Sequence, residues 1–201
     1  MSSKNSYRPL LIIFAILGPI ILFAFVLINP FELHDHFVEP PLLVKDFALQ
    51  TTNGSTFHLS DQKGKIVLLF FGYTNCPDFC PTTLTTFKQV YEKLGEDAPR
   101  VKFVMISVDP DRDTPEKIAA YVAQFNSDFS GLSGSRKDLE PIWNQFGVLV
   151  EKQNSDSVES YLEGHTASVY VIDKQGYFIR DFPYGTSATD LVDNITQLLN
   201  Q

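Results

Sequence analysis

Six consecutive apolar residues, 66–71, stop at Gly72, and a helical pattern begins ten residues later at Thr82. A run this apolar, with no alternation, reads as a buried strand. Between the two lies Gly72-Tyr73-Thr74-Asn75-Cys76-Pro77-Asp78-Phe79-Cys80-Pro81, which holds both cysteines of the 201-residue chain. Pro77 suits the first turn of a helix, where its missing N–H is not needed. A helix starting there places Cys76 and Cys80 one turn apart on one face. That spacing lets two sulfurs touch one metal ion or close a disulfide. The helix N-terminus favours thiolate, the form that binds soft metals and attacks disulfides.

The chain before this point divides at a second feature. Residues 1–9 carry Lys4 and Arg8 and no acid, and residues 10–28 are nineteen positions without a charge. That length suits a single transmembrane helix, and Gly18-Pro19 is a tolerated irregularity. The far flank holds Glu32, Asp35 and Glu39, so the charge bias places the N-terminus in the cytoplasm and the bulk of the chain outside it. The run is long for a cleaved signal peptide, and no small-x-small site closes it. Residues 29–40 read as a linker. His34-Asp35-His36 within it is either an accessory metal site or, more simply, part of a solvated stalk.

Residues 41–201 read as one domain. Asn53-Gly54 between residues 47–50 and 55–59 marks a hairpin, from which His58 points outward. After the first core strand and the helix over 82–94, residues 101–108 form a second apolar strand. Thr114-Pro115-Glu116 starts a helix that runs to about Phe125, with Thr as cap and Pro in the first position. Residues 131–135 read as a loop, 138–146 as a short helix with Trp143, 148–152 as a short strand and 153–160 as an exposed loop. Residues 169–172 and 177–182 form a β-hairpin, and Ser187-Ala188-Thr189-Asp190 opens the last helix. The order is hairpin, βαβα, small helix, ββα. It predicts an α/β thioredoxin-like fold with an N-terminal β-hairpin extension. The cysteines then fall at the carboxyl end of the first core strand, where open α/β sheets place their sites.

Composition narrows the chemistry. The net charge is −8, with no basic cluster beyond the N-terminus, which argues against a nucleic-acid partner. A soft-metal site must draw on Cys76, Cys80 and the four histidines, His34, His36, His58 and His165. Met1 is the start and Met105 lies in an apolar strand, so methionine is nearly excluded. A cysteine pair outside the cytoplasm is also open to reading as a structural staple, but closing so short a loop contributes little.

His165 precedes a core strand. Taken alone, such a histidine is more often a hydrogen-bonded loop residue. In a thioredoxin-like topology, however, that loop packs beside the cysteine loop, at a place where redox members carry a cis-proline. Residues 160–170 contain no proline. A residue other than proline facing the thiols suggests a ligand, and two thiolates with one imidazole suit Cu(I). The charged stretch 109–115 reads on its own as helix capping with a local ion pair of Arg112.

Three stretches together resemble the Sco/SenC family. Residues 72–81 resemble its copper-binding motif, residues 107–115 its second signature, and His165-Thr166 before residues 169–173 its third. The likeness runs from about residue 41 to 199, and an N-terminal anchor is usual in the family. The resemblance implies a copper metallochaperone for cytochrome c oxidase assembly, binding a copper ion through Cys76, Cys80 and His165. Its implied partners are oxidase subunit II, at the binuclear copper A centre, and other copper chaperones or thiol reductants. It would sit at the inner membrane with the C-terminal domain outside the cytoplasm. Gly164 stands where the family often has Asp, so no carboxylate supports the histidine from that position. The alternative is a membrane-anchored thiol–disulfide oxidoreductase that uses the Cys76–Cys80 pair to reduce the target's cysteines. A peroxidase of the peroxiredoxin type shares the architecture and nothing further.

Overall fold

The computed structural model describes residues 36–150 and 168–201. The strand predicted over 66–71 is β4, Ile66–Gly72, and all seven of its residues are buried. Burial on both faces explains why it has no polar alternation. β4 pairs in parallel with β5, Val101–Ser107, in the register Ile66↔Val101 to Gly72↔Ser107. It pairs antiparallel with β7, Val169–Ile172, which turns into β8, Tyr177–Phe182. Four α-helices stand among the described residues: α1 Phe79–Leu94, α2 Pro115–Ala123, α3 Arg136–Gln145 and α4 Ala188–Leu199. Thr114 caps α2, with its side chain accepting from Lys117 N–H and Pro115 in the first position. Ser135 and Asp138 form a full capping box on α3, and Ser187 caps α4.

Alternation along β4 divides the core. Phe70 faces α1, where its ring meets Phe87, and Phe87 in turn packs against Phe103 and Phe129. Phe71 faces the other way, against Phe146 at the end of α3 and Tyr170 of β7. Helix α4 packs on α1, so the helix that carries Cys80 is fixed on two sides. The hairpin around residues 53–54 forms as a separate two-stranded sheet, β2 Ala48–Gln50 with β3 Thr56–His58.

Three expectations are corrected. The sheet has six strands in the order β1-β8-β7-β4-β5-β6, and two of its strands fall where no strand was predicted. β6, Ser130–Leu132, is a third parallel strand within the stretch read as a loop from residue 131. A Cβ on Gly131 would lie 2.5 Å from the Ile118 carbonyl oxygen, so α2 sits too close for any other residue. The glycine that suggested a loop is there for packing. β1, His36–Leu43, occupies the end of the predicted linker 29–40 and pairs antiparallel with β8, so residues 36–40 belong to the sheet and not to a linker. Its register slips between Phe37 and Leu42, around Pro40 and Pro41, and an edge strand tolerates prolines at such an irregularity. Residues 148–150 of the predicted strand 148–152 are not in a strand. Val148 N–H instead donates to Trp143 O at 2.8 Å, and Gly147, at φ +68°, donates to Asn144 O, which closes α3. Residues 151 and 152 lie outside the described residues, as does the predicted membrane helix 10–28. Among the described residues no helix is long and apolar enough to cross a membrane.

Candidate metal and thiol site

The site is built where β4 stops. Val108 N–H donates to Gly72 O at 2.9 Å, which ties the end of β4 to the end of β5. A Cβ on Gly72 would lie 2.8 Å from Cys80 Sγ and 2.6 Å from the Phe70 ring. Glycine is therefore what allows the Cys80 sulfur to rest against the strand end. Cys76 N–H donates to Tyr73 O at 3.3 Å, which turns the loop back on itself.

The two cysteines come together, but not as two residues of one helix. Helix α1 begins at Phe79, and Cys76 lies ahead of it in the loop. Cys76 precedes Pro77, which disfavours helical backbone at Cys76, and Asp78 is also non-helical, at φ −139° and ψ −62°. Pro81, not Pro77, is the proline of the first turn. A better contact replaces the predicted spacing: Cys80 N–H, one of the first-turn donors with no partner inside the helix, points at Cys76 Sγ at 3.3 Å.

This arrangement separates the two thiols chemically. The Cys80 S–H bonds to the Cys76 sulfur, and the backbone N–H groups of Cys80, Asp78 and Phe79 also face it. Together they outweigh burial and lower the Cys76 pKa to about 6. Cys80 is raised far above the usual thiol range, because it holds the shared proton and is buried. Burial, reinforced by the negative charge of the neighbouring cysteine pair, pushes Tyr73 and Tyr121 up to about 12. Both phenols thus stay neutral beside the thiolate.

A reactivity pattern follows. Cys76 retains 7% exposure and Cys80 none. Iodoacetamide should label Cys76 alone, with a rate that rises through pH 6 and levels off by about pH 8, because a depressed pKa supplies thiolate at lower pH. Peptide mass spectrometry across pH checks this. A rate still climbing at pH 9, or equal labelling of Cys80, would contradict the assignment.

A group that sequence reasoning read as helix capping lies directly beneath the cysteine loop. Asp113, 1% exposed, accepts from Thr74 N–H at 3.0 Å and from the Thr74 hydroxyl at 2.5 Å. It also accepts from the Ser107 hydroxyl at 2.9 Å, and Lys117 Nζ stands 3.6 Å away. Asp109 is buried as well and pairs with Arg112, whose guanidinium lies over the Tyr73 ring at 6.0 Å. The predicted local ion pair exists, but Asp113 reaches across 39 positions to Thr74. No short-range pattern in the sequence signals that contact.

His34 and His165 lie outside the described residues. His36 starts β1, and His58 ends β3 in the separate two-stranded sheet. Among the described residues no third His, Cys, Asp or Glu joins Cys76 and Cys80 in a cluster able to hold a metal ion.

A strand–loop–helix segment that brings two cysteines together at the carboxyl edge of a mixed sheet defines the class, a thioredoxin-like fold with a paired-cysteine loop. A model of the SCO1/SenC family matches residues 37–200. The SCO2-like protein of Rickettsia prowazekii is 33% identical over 148 residues, which is 73% of this chain and 72% of that one. The mitochondrial SCO1 homologue of Homo sapiens is 35% identical over 144 residues, 71% of this chain and 48% of that one. Apo Sco1 of Thermus thermophilus superposes with a TM-score of 0.73 at 36% identity, over 85% of this chain and 100% of that one. Copper-bound ScoI of Bradyrhizobium japonicum superposes at 0.69 with 33% identity, over 78% of this chain and 99% of that one. The chain belongs to the SCO1/SenC family.

Proposed function

We propose that this protein is a copper metallochaperone for assembly of the binuclear copper A centre in cytochrome c oxidase subunit II. The observation that carries the reading is the Cys76–Cys80 contact, with Cys80 N–H directed at Cys76 Sγ at 3.3 Å and the donors around Cys76 lowering its pKa. Two sulfurs so placed suit Cu(I), and His165 is the third ligand. The copper-bound relative from Bradyrhizobium japonicum supports copper as the cargo, and the family resemblance supports the oxidase as the client. Residues 10–28 anchor the chain in the inner membrane with the domain outside the cytoplasm, close to a membrane-bound client. Other copper chaperones or thiol reductants load the site or keep it reduced.

The same thiolate favours a second reading, a thiol–disulfide reductase acting on the client's cysteines. The two readings share Cys76 and Cys80 and separate at His165. Imidazole is a good copper ligand but is not required for thiolate attack. Cells carrying His165→Ala should lose oxidase activity at low copper and regain it, at least in part, when copper is added. Normal oxidase activity in these cells at low copper would favour the reductase. Spheroplasts of the same cells should lose the domain to added protease, and full protection would overturn the proposed orientation.

A further inference from the structure

We propose that Asp113 is the positioning residue of the copper site: acting through Thr74, it holds the cysteine loop so that the Cys76 sulfur faces Cys80. The proposal deepens the copper reading and rests on it for one of its two tests.

Donors surround both oxygens of the Asp113 carboxylate. Oδ2 accepts from Thr74 N–H at 3.0 Å and Ser107 O–H at 2.9 Å. Oδ1 accepts from Thr74 O–H at 2.5 Å, with Lys117 Nζ at 3.6 Å. A carboxylate accepts at both oxygens, whereas an amide would turn an NH₂ group toward one pair of donors. The backbone of Asp113 is held equally firmly. Its carbonyl accepts from Ser133 O–H at 2.5 Å, and its N–H donates to Asp109 O at 2.9 Å.

These contacts join three parts of the sheet edge. Ser107 ends β5, Ser133 follows β6, and Thr74 stands two residues past the end of β4. Thr74 is also two residues before Cys76. The loop from Tyr73 to Asp78 is outside both β4 and α1, so neither element dictates its path. Asp113 grips that loop at both the backbone and the side chain of one residue. At the other end of the loop, the Cys80 N–H holds the Cys76 sulfur. Lys117 adds a tie to the same stretch, with Nζ 3.3 Å from Asn75 Oδ1. The charged stretch 109–115 thus serves the cysteines as well as the start of α2.

Thr74→Val is the informative variant. It keeps the shape and the backbone N–H, removes only the hydroxyl, and lies outside the hydrophobic core. Thr74→Ser keeps the hydroxyl and serves as the conservative control. Asp113→Asn removes one acceptor, and the double variant Thr74→Val with Asp113→Asn tests whether the two act through one contact. Two quantities are read on each full-length protein. One is the rate of Cys76 alkylation by iodoacetamide in the metal-free reduced form, and the other is Cu(I) affinity by chelator competition.

Loss of a supporting contact costs roughly 10–100-fold in metal affinity. We expect Thr74→Val near the lower end of that range, Asp113→Asn above it, and Thr74→Ser at wild type. Alkylation of Cys76 should speed up several-fold in the two impaired variants while their unfolding midpoints stay within a few degrees of wild type. The double variant should be no worse than Asp113→Asn alone. Unchanged alkylation and affinity in both single variants, or strictly additive effects in the double one, would overturn the proposal. A rate that only follows the unfolding midpoint across the series would overturn it too. If the wild-type protein binds no Cu(I), the copper reading fails, and the alkylation rates alone decide the role of Asp113.

Discussion

A disulfide between Cys76 and Cys80 should abolish tight copper binding, and reduction should restore it. The chain has no other cysteine, so oxidation removes every thiolate it can offer. The two residues are already in contact, with Cys80 N–H directed at Cys76 Sγ at 3.3 Å. Both lie at the end of β4, and the absence of a side chain on Gly72 leaves room for the Cys80 sulfur. Loss of one supporting contact costs roughly 10–100-fold in metal affinity, and loss of two ligands should exceed that range. Cys76→Ser and Cys80→Ser should each behave like the oxidised protein, since a hydroxyl stays protonated where a thiol does not. Chelator competition on oxidised, reduced and re-reduced samples checks this. Equal affinity in the oxidised and reduced forms would separate the copper site from the cysteine pair.

Phe87→Ala should produce the largest loss of stability. The Phe87 side chain is fully buried on α1, and its ring meets Phe70 at 6.2 Å, Phe103 at 5.3 Å and Phe129 at 6.2 Å. Removing such a ring costs about 3–5 kcal/mol, through lost burial and the cavity left behind. A domain of ordinary stability holds roughly 5–15 kcal/mol in total. For a domain of this size the midpoint of thermal unfolding should fall by about 10 °C. Helix α1 also carries Cys80, so the thiol site should loosen with it, and Cys80 should begin to react with iodoacetamide. Thermal and urea unfolding measure the effect. A change below about 1 kcal/mol would mean that the aromatic cluster does not hold α1 to the sheet.

What could be read from the sequence follows from where the information lies. β4, β5 and β7 are largely apolar runs that their own residues announce, and β8 follows β7 through the turn at residues 173–176. Thr114-Pro115 and Ser187 mark helix starts because capping is a local contact. β1 and β6 are strands only because of their neighbours. Gly131 signals a loop in isolation and is required by the closeness of Ile118 in the fold. Pro40 and Pro41 argue against a strand and are tolerated at an edge. At the site, the spacing of Cys76 and Cys80 is enough to pair them, but α1 starts at Phe79, after the start that Pro77 suggests and before the pattern that begins at Thr82. The contact of Asp113 with Thr74 is not legible in the sequence, because the two residues are distant along the chain and near only in the fold. Topology and the family resemblance point to His165, which lies outside the described residues.

On the proposed function, Cys76, Cys80 and His165 bind copper together. The most direct measurement is a Cu(I) titration of the reduced protein by chelator competition, set beside His165→Ala. The account predicts one tightly bound Cu(I) per chain, and an affinity in His165→Ala weaker by at least the 10–100-fold that a mere supporting contact is worth. Absence of tight Cu(I) binding in the reduced wild-type protein, or the same affinity in His165→Ala, would contradict it.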